Sequence, residues 1–141
     1  MRLAPLVARI KAQVPALSGR VAAAADLKAV LDSGVTAMPC AFVFAPSGKA
    51  GPNTLMNRVS QNIDVRFGVV LVVRNVSDPR GDAAYAEMDA LRPALWDALG
   101  GWVPDDGMAP LQSDGDQLLY AQDGLLIWNE QFRTNYYKRS I

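Results

Sequence analysis

Arg58-Val59-Ser60-Gln61-Asn62-Ile63-Asp64-Val65-Arg66-Phe67-Gly68-Val69-Val70-Leu71-Val72-Val73-Arg74-Asn75 is the stretch that decides the fold. Val59, Ile63, Val65, Phe67, Val69, Leu71 and Val73 fall on one face of an extended chain. Arg58, Ser60, Asn62, Asp64, Arg66 and Arg74 fall on the other. Val70 and Val72 make the later half apolar on both faces, the pattern of a central strand covered on two sides. Gly68 marks a bulge or a close approach by another chain segment. The earlier half is polar, and Gln61 interrupts even its apolar face. That half is expected to project beyond the core as an arm for partner contact.

On the N-terminal side, Leu3, Leu6, Val7, Ile10 and Val14 recur at helical spacing, so residues 3–14 read as an amphipathic helix ended by Pro15. Gly19-Arg20-Val21 reads as a short extended piece. Residues 22–32 read as a second helix with Leu27, Val30 and Leu31 as its apolar side. Ser33-Gly34 stops it, with Gly34 in the left-handed cap position. Pro39-Cys40-Ala41-Phe42-Val43-Phe44-Ala45 is a short apolar run between turn signals, which suits a strand buried on both faces. Cys40 belongs there as a small hydrophobe. Residues 46–57 are rich in turn formers and read as a loop of about a dozen residues.

On the C-terminal side, Asp78-Pro79 has the form of a helix start. Ala84, Met88, Leu91, Leu95 and Leu99 then trace one face of a helix over about residues 79 to 99. Pro93 is expected to kink or split that helix, and Gly100-Gly101 to end it. Trp102 is expected to be buried at the helix end. Asp123-Gly124 is a two-residue hairpin turn signal between a strand within Leu111–Gln122 and a return strand from Leu125 to about Tyr137. Trp128, Phe132 and Tyr136 share one side of the return strand and cover the sheet, with an aromatic stacking platform as the alternative. This order gives an α+β class. Residues 1–141 form one domain, an antiparallel or mixed β-sheet flanked by helices, with a projecting loop and long-strand arm.

Composition removes several function classes. Half of the 141 residues are apolar and 20 % are charged, which argues against intrinsic disorder. Fourteen basic and fourteen acidic residues cancel, so no whole-chain field draws the protein to nucleic acid or an anionic membrane. There is no histidine, which excludes histidine-based triads and imidazole metal sites. The single cysteine, Cys40, forms no intrachain disulfide and no thiolate cluster. No catalytic residue, cofactor site or metal site is assigned. Ser47-Gly48-Lys49 lacks the glycine spacing and the Lys-Ser/Thr ending of a phosphate loop. Asp105/Asp106 and Asp114/Asp116 read as solvated turn acids, and their spacing does not match a calcium loop. No 18-residue apolar run is present, and Arg9 and Lys11 interrupt the N-terminal apolar stretch. A soluble protein without signal peptide, made in a cytoplasm, is expected.

The neutral total hides an uneven distribution. Between Pro93 and Phe132 lie seven acids and no lysine or arginine, whereas residues 133–141 add Arg133, Lys138 and Arg139 with no acid. Complementary regions of this kind either solvate separate loops or pair head-to-tail between copies. Asp105, Asp106, Arg133, Lys138 and Arg139 are the candidate inter-subunit charges. Lys49, Leu55, Met56, Asn57 and Arg58 form the candidate arm towards a partner or a neighbouring subunit.

Val7-Ala8-Arg9-Ile10 followed by Val14-Pro15-Ala16-Leu17, Pro39 leading the strand to Val43, Gln61 ahead of Phe67-Gly68-Val69-Val70-Leu71-Val72-Val73, Leu99-Gly100-Gly101-Trp102-Val103-Pro104 and the late hairpin through Trp128 and Phe132 together carry a resemblance. Over nearly its whole length the chain resembles the tail terminator, or tail completion, proteins of tailed bacteriophages. That resemblance implies a structural virion protein of the tail, assembled in the host cytoplasm. It implies a ring, typically hexameric, on the head-proximal end of the tail tube, which stops tube polymerisation and presents a surface for head joining. The implied partners are other copies of the chain, the tail tube protein and a head completion or connector protein. No membrane and no specific nucleic acid is among them, although the ring leaves a passage for DNA. A tube or adaptor subunit is the alternative, and a small enzyme or ligand-binding domain a more distant one.

Overall fold

The computed structural model describes residues 1–32, 38–77 and 80–140. Among these, six strands form one open mixed sheet, with three α-helices packed against it. The order in the chain is α1 (Leu3–Gln13), a 3-10 turn over Pro15–Leu17, β1 (Val21–Ala24), α2 (Leu27–Asp32), β2 (Cys40–Phe44), β3 (Ser47–Ala50), β4 (Ser60–Arg74), α3 (Asp82–Leu99), β5 (Gln112–Gln122) and β6 (Leu125–Arg139). Across the sheet the order is β1-β2-β4-β6-β5, with β3 also on β4. β1 and β2 are parallel and the other pairs antiparallel, so the α+β reading with a mixed sheet holds.

β4 is the central strand that its sequence describes. Phe67, Val69, Leu71 and Val73 face α1 and α3, in one core with Leu6, Ile10, Met88, Leu91, Leu95 and Leu99. Val70 and Val72 face the opposite way, in a second core with Val30 of α2, Cys40, Phe42 and Ile127. The alternation of period two thus feeds two separate apolar layers, and this is why the run Val69–Val73 has no polar position. Gly68 is a close approach rather than a bulge, because β4 and β6 stay in unbroken register from Ser60↔Arg139 to Arg74↔Leu125. A Cβ on Gly68 would lie 2.2 Å from Oδ1 of Asn129 on β6.

α1 and α3 follow their apolar periodicity. All five periodic positions of α3, Ala84, Met88, Leu91, Leu95 and Leu99, are buried. The helix runs unbroken from Asp82 to Leu99 with Pro93 inside it, so Pro93 does not split it. Its start follows Gly81, and the Asp78-Pro79 signal lies outside the described residues. The β5–β6 hairpin forms where expected. Asp123 (φ 54°) and Gly124 (φ 76°) are both left-handed, as a two-residue turn with the twist of the strands requires.

Three expectations are corrected. Residues 22–24 are not helical. Ala22, Ala23 and Ala24 extend as β1 beside Phe42, Val43 and Phe44, because the open edge of β2 offers backbone partners that outweigh alanine's helical preference, the highest of any residue but less than about 1 kcal/mol per position. The second helix is therefore only Leu27–Asp32, and of its expected apolar side Val30 is buried while Leu31 is exposed. The Leu27 side chain and the Ser33-Gly34 stop lie outside what the structure describes. Residues 46–57 are not one loop either. Ser47–Ala50 form β3, in register with Arg66 to Ile63 of β4. β2 and β3 are thus successive pieces along the same edge of β4, offset by one residue at Ala45-Pro46, where proline has no N–H to give the ladder. Finally, Asp114 and Asp116 are strand residues of β5, at a register shift between Ser113 and Asp116, and not turn acids.

Candidate functional site

The polar half of β4 lies outside both apolar cores. From Ser60 to Arg66 it runs between β3 and the end of β6, a ribbon of about 20 Å at ~3.3 Å per residue. Ile63 and Val65 stay buried against this local pairing. At the end of the ribbon, residues 51–59 form a turn organised by one side chain. Asn53 donates through Nδ2 to the carbonyls of Leu55 (2.9 Å) and Arg58 (3.1 Å), and its Oδ1 accepts from the N–H of Ser60 (2.9 Å). Gln61 Nε2 donates to the Gly51 carbonyl at 3.0 Å, which accounts for a polar residue on the apolar face of the strand. The Val59 N–H donates to Ser140 Oγ (2.7 Å) and the Ser140 N–H to the Val59 carbonyl (2.8 Å), so the chain end closes the same turn.

This arrangement holds Leu55 and Met56 outward. Met56 is 100 % exposed and Leu55 43 %. Asn57 and Arg58 beside them are exposed as well. Lys138 and Arg139 stand at the end of β6, opposite Gln61 and Ser60, with the Arg139 guanidinium 4.9 Å over the Tyr137 ring. Lys49 lies on β3 opposite Asp64. Leu55, Met56, Asn57 and Arg58 thus sit at the same end of the ribbon as Lys138 and Arg139, an apolar and basic tip, while Lys49 lies further back along it. Arg133 sits further down the ribbon, opposite Arg66, which is itself bound by Asp64 and Asp114. Asp105 and Asp106 are elsewhere, in the loop after α3, where Asp105 pairs with Arg2 at 3.3 Å. Asn53 was not singled out by sequence reasoning. Its signal was the Pro-Asn-Thr turn composition, because asparagine bonds the backbone two residues on.

A second feature lies on the body, between α3 and the β5–β6 hairpin. Arg92 of α3 bonds Glu130 of β6 closely, pairs with Asp116 of β5 at 3.1 Å, and lies 4.3 Å over the Trp128 ring. Trp128 Nε1 donates to Asp116 Oδ1 at 3.0 Å. Burial raises the Glu130 pKa against the opposing bond and charge of Arg92, and its net displacement is upward. For Arg92 burial acts downward, but Glu130, Asp116 and Asp89 outweigh it and hold the guanidinium above the ordinary arginine value. Beside this cluster Trp96 stacks on Phe132 (6.3 Å between centroids) yet remains 46 % exposed. Asp89, Pro93, Trp96 and Ser113 line a crease of about 470 Å³ there with Arg92 and Glu130. Trp102, expected to be buried, is only partly so; it packs on the main core with Arg9 5.5 Å over its ring.

Cys40, the one thiol, is buried 3.8 Å from the Met38 sulfur. Burial, opposed by the Arg20 charge, pushes its pKa up to about 11, the reverse of what a nucleophilic thiol needs. Among the described residues no group of three His, Cys, Asp or Glu side chains is placed to hold a metal ion. Among them, too, no helix is long and apolar enough to cross a membrane.

A protein-family model described as phage tail terminator protein matches residues 1–140. No curated protein sequence matches the chain. Among solved structures, the fold matches a chain from the "Virion of native gene transfer agent (GTA) particle" with a TM-score of 0.61. The two are 17 % identical over 94 % of this chain and 95 % of that one, so the likeness is one of fold.

Proposed function

The chain belongs to the phage tail terminator family, and from that we infer that it forms a ring on the head-proximal end of the tail tube, stops tube polymerisation and presents the surface that joins the head. Its partners are then other copies of itself in a hexameric ring, the tail tube protein and a head completion or connector protein. The role is structural rather than enzymatic, in the virion tail, with assembly in the host cytoplasm.

The observation that carries this reading is the ribbon of β3, β4 and β6, which ends in an exposed apolar and basic tip on a body with a separate acidic stretch. Two different patches on one chain suit heterologous contacts, which close into a ring when the rotation permits. Lys49, Leu55, Met56, Asn57 and Arg58 are assigned to tube or subunit contact. Asp105, Asp106, Arg133, Lys138 and Arg139 are assigned to charge pairing between subunits, where Asp105 would exchange or share its partner Arg2.

The test is the mass of the purified protein in solution, alone and with its tail tube protein. A closed ring, or a monomer that becomes a ring only on tube ends, is the expected result. A monomer indifferent to the tube would refute the reading, and open filaments of the protein alone would assign it to the tube instead.

A further inference from the structure

We propose that the arm tip of one copy seats in the crease between α3 and the β5–β6 hairpin of the next copy, with Met56 and Leu55 against Trp96 and Pro93. This rests on the ring reading and names its contact. The tip and the crease are complementary in two independent ways. The first is apolar. Met56 and Leu55 are held outward by the Asn53 bonds, so they are presented with little ordering left to lose. Trp96 offers a broad exposed ring beside an open crease, and tryptophan is the residue type that most often anchors an interface. Methionine is unbranched and adapts to an irregular aromatic surface.

The second is charge. Two carboxylates, Asp89 and Glu130, line the crease with Arg92, and Asp116 beside it also pairs with that guanidinium, which leaves an excess of negative charge. At the same end of the ribbon as the apolar pair stand the exposed Arg58, in the turn itself, and Lys138 and Arg139, opposite Gln61 and Ser60. The tip does not reach the crease of its own chain. Glu130 and Arg139 lie nine residues apart on the same strand, about 30 Å at ~3.3 Å per residue. Both halves of the contact are therefore on every chain, yet only a second copy brings them together. That is a heterologous contact, which propagates head-to-tail and ends when the ring closes.

The test combines charge reversal with cross-linking, on the full chain with and without the tail tube protein. Arg58 and Asp89 are both exposed, so neither substitution opens the core. Arg58→Glu and Asp89→Lys should each weaken self-association about tenfold or more by sedimentation, and the two together should restore much of it. A chain carrying both Met56→Cys and Asp89→Cys should give a ladder of covalent oligomers with a short thiol cross-linker, ending at the ring. Either single variant should give none, since Cys40 is buried. A ring that survives both reversals and yields no ladder would overturn this contact while leaving the ring intact. A wild-type mass that stays monomeric with and without the tube protein would overturn the ring reading, and this contact with it.

Discussion

Gly68→Ala tests the sheet at a point where the two longest strands leave no room for a side chain. The added methyl would sit 2.2 Å from Asn129 Oδ1 and 3.1 Å from its Cγ, well inside van der Waals contact. Asn129 is only 8 % exposed, so its carboxamide has little room to swing away. Overpacking of this kind costs about 1–3 kcal/mol. Alanine in a strand recovers about 0.5–1 kcal/mol of that through the lower entropy of the unfolded chain. The net expectation is a loss of about 1–2 kcal/mol, or ~3–8 °C in melting temperature for a domain of this size. Urea denaturation with a constant slope is the assay. Asn129→Ala removes the obstructing group, so in the double variant the two changes should couple by about 1 kcal/mol or more in the favourable direction. A Gly68→Ala protein as stable as wild type would refute the reasoning. So would two substitutions whose effects simply add, since the clash would then lie elsewhere.

Two further expectations concern side chains with displaced titration. Cys40 should resist a thiol reagent at pH 8 in the folded protein and react fully in urea, because burial both shields it and holds its pKa near 11; rapid reaction without denaturant would contradict the packing of the second core. Glu130 has a folded pKa above its unfolded one, so its titration contributes stability that is fully present below the unfolded value and lost as pH rises through the folded value. Wild type should therefore gain stability relative to Glu130→Gln as pH falls from 7 towards 4, measured by urea midpoints at each pH. A relative loss on acidification would show that the bond to Arg92, not burial, governs this carboxyl.

Much of the fold was legible because it depends on periodicity, which is local. The spacing of Ala84, Met88, Leu91, Leu95 and Leu99 named the buried face of α3, and the alternation in Phe67–Val73 named the central strand and its two covered faces. Asp123-Gly124 named the hairpin, since few residues accept two left-handed positions in a row. Ala22–Ala24 and Ser47–Ala50 were not legible as strands. Their own preferences do not favour a strand, and what places them is an open row of backbone groups on β2 and β4, partners distant in sequence. The arm residues could be picked out as exposed and apolar or basic, but not their meeting with Lys138 and Arg139, which depends on the register of β4 with β6 over fifteen residues each. The crease at Trp96 was hidden for the same reason, because Arg92, Asp116 and Glu130 come from three elements that only the tertiary structure brings side by side. A sequence determines by itself the faces its segments must bury. Which segments share an edge, and which charges then become neighbours, is decided by contacts whose energy exists only once the chain has closed on itself.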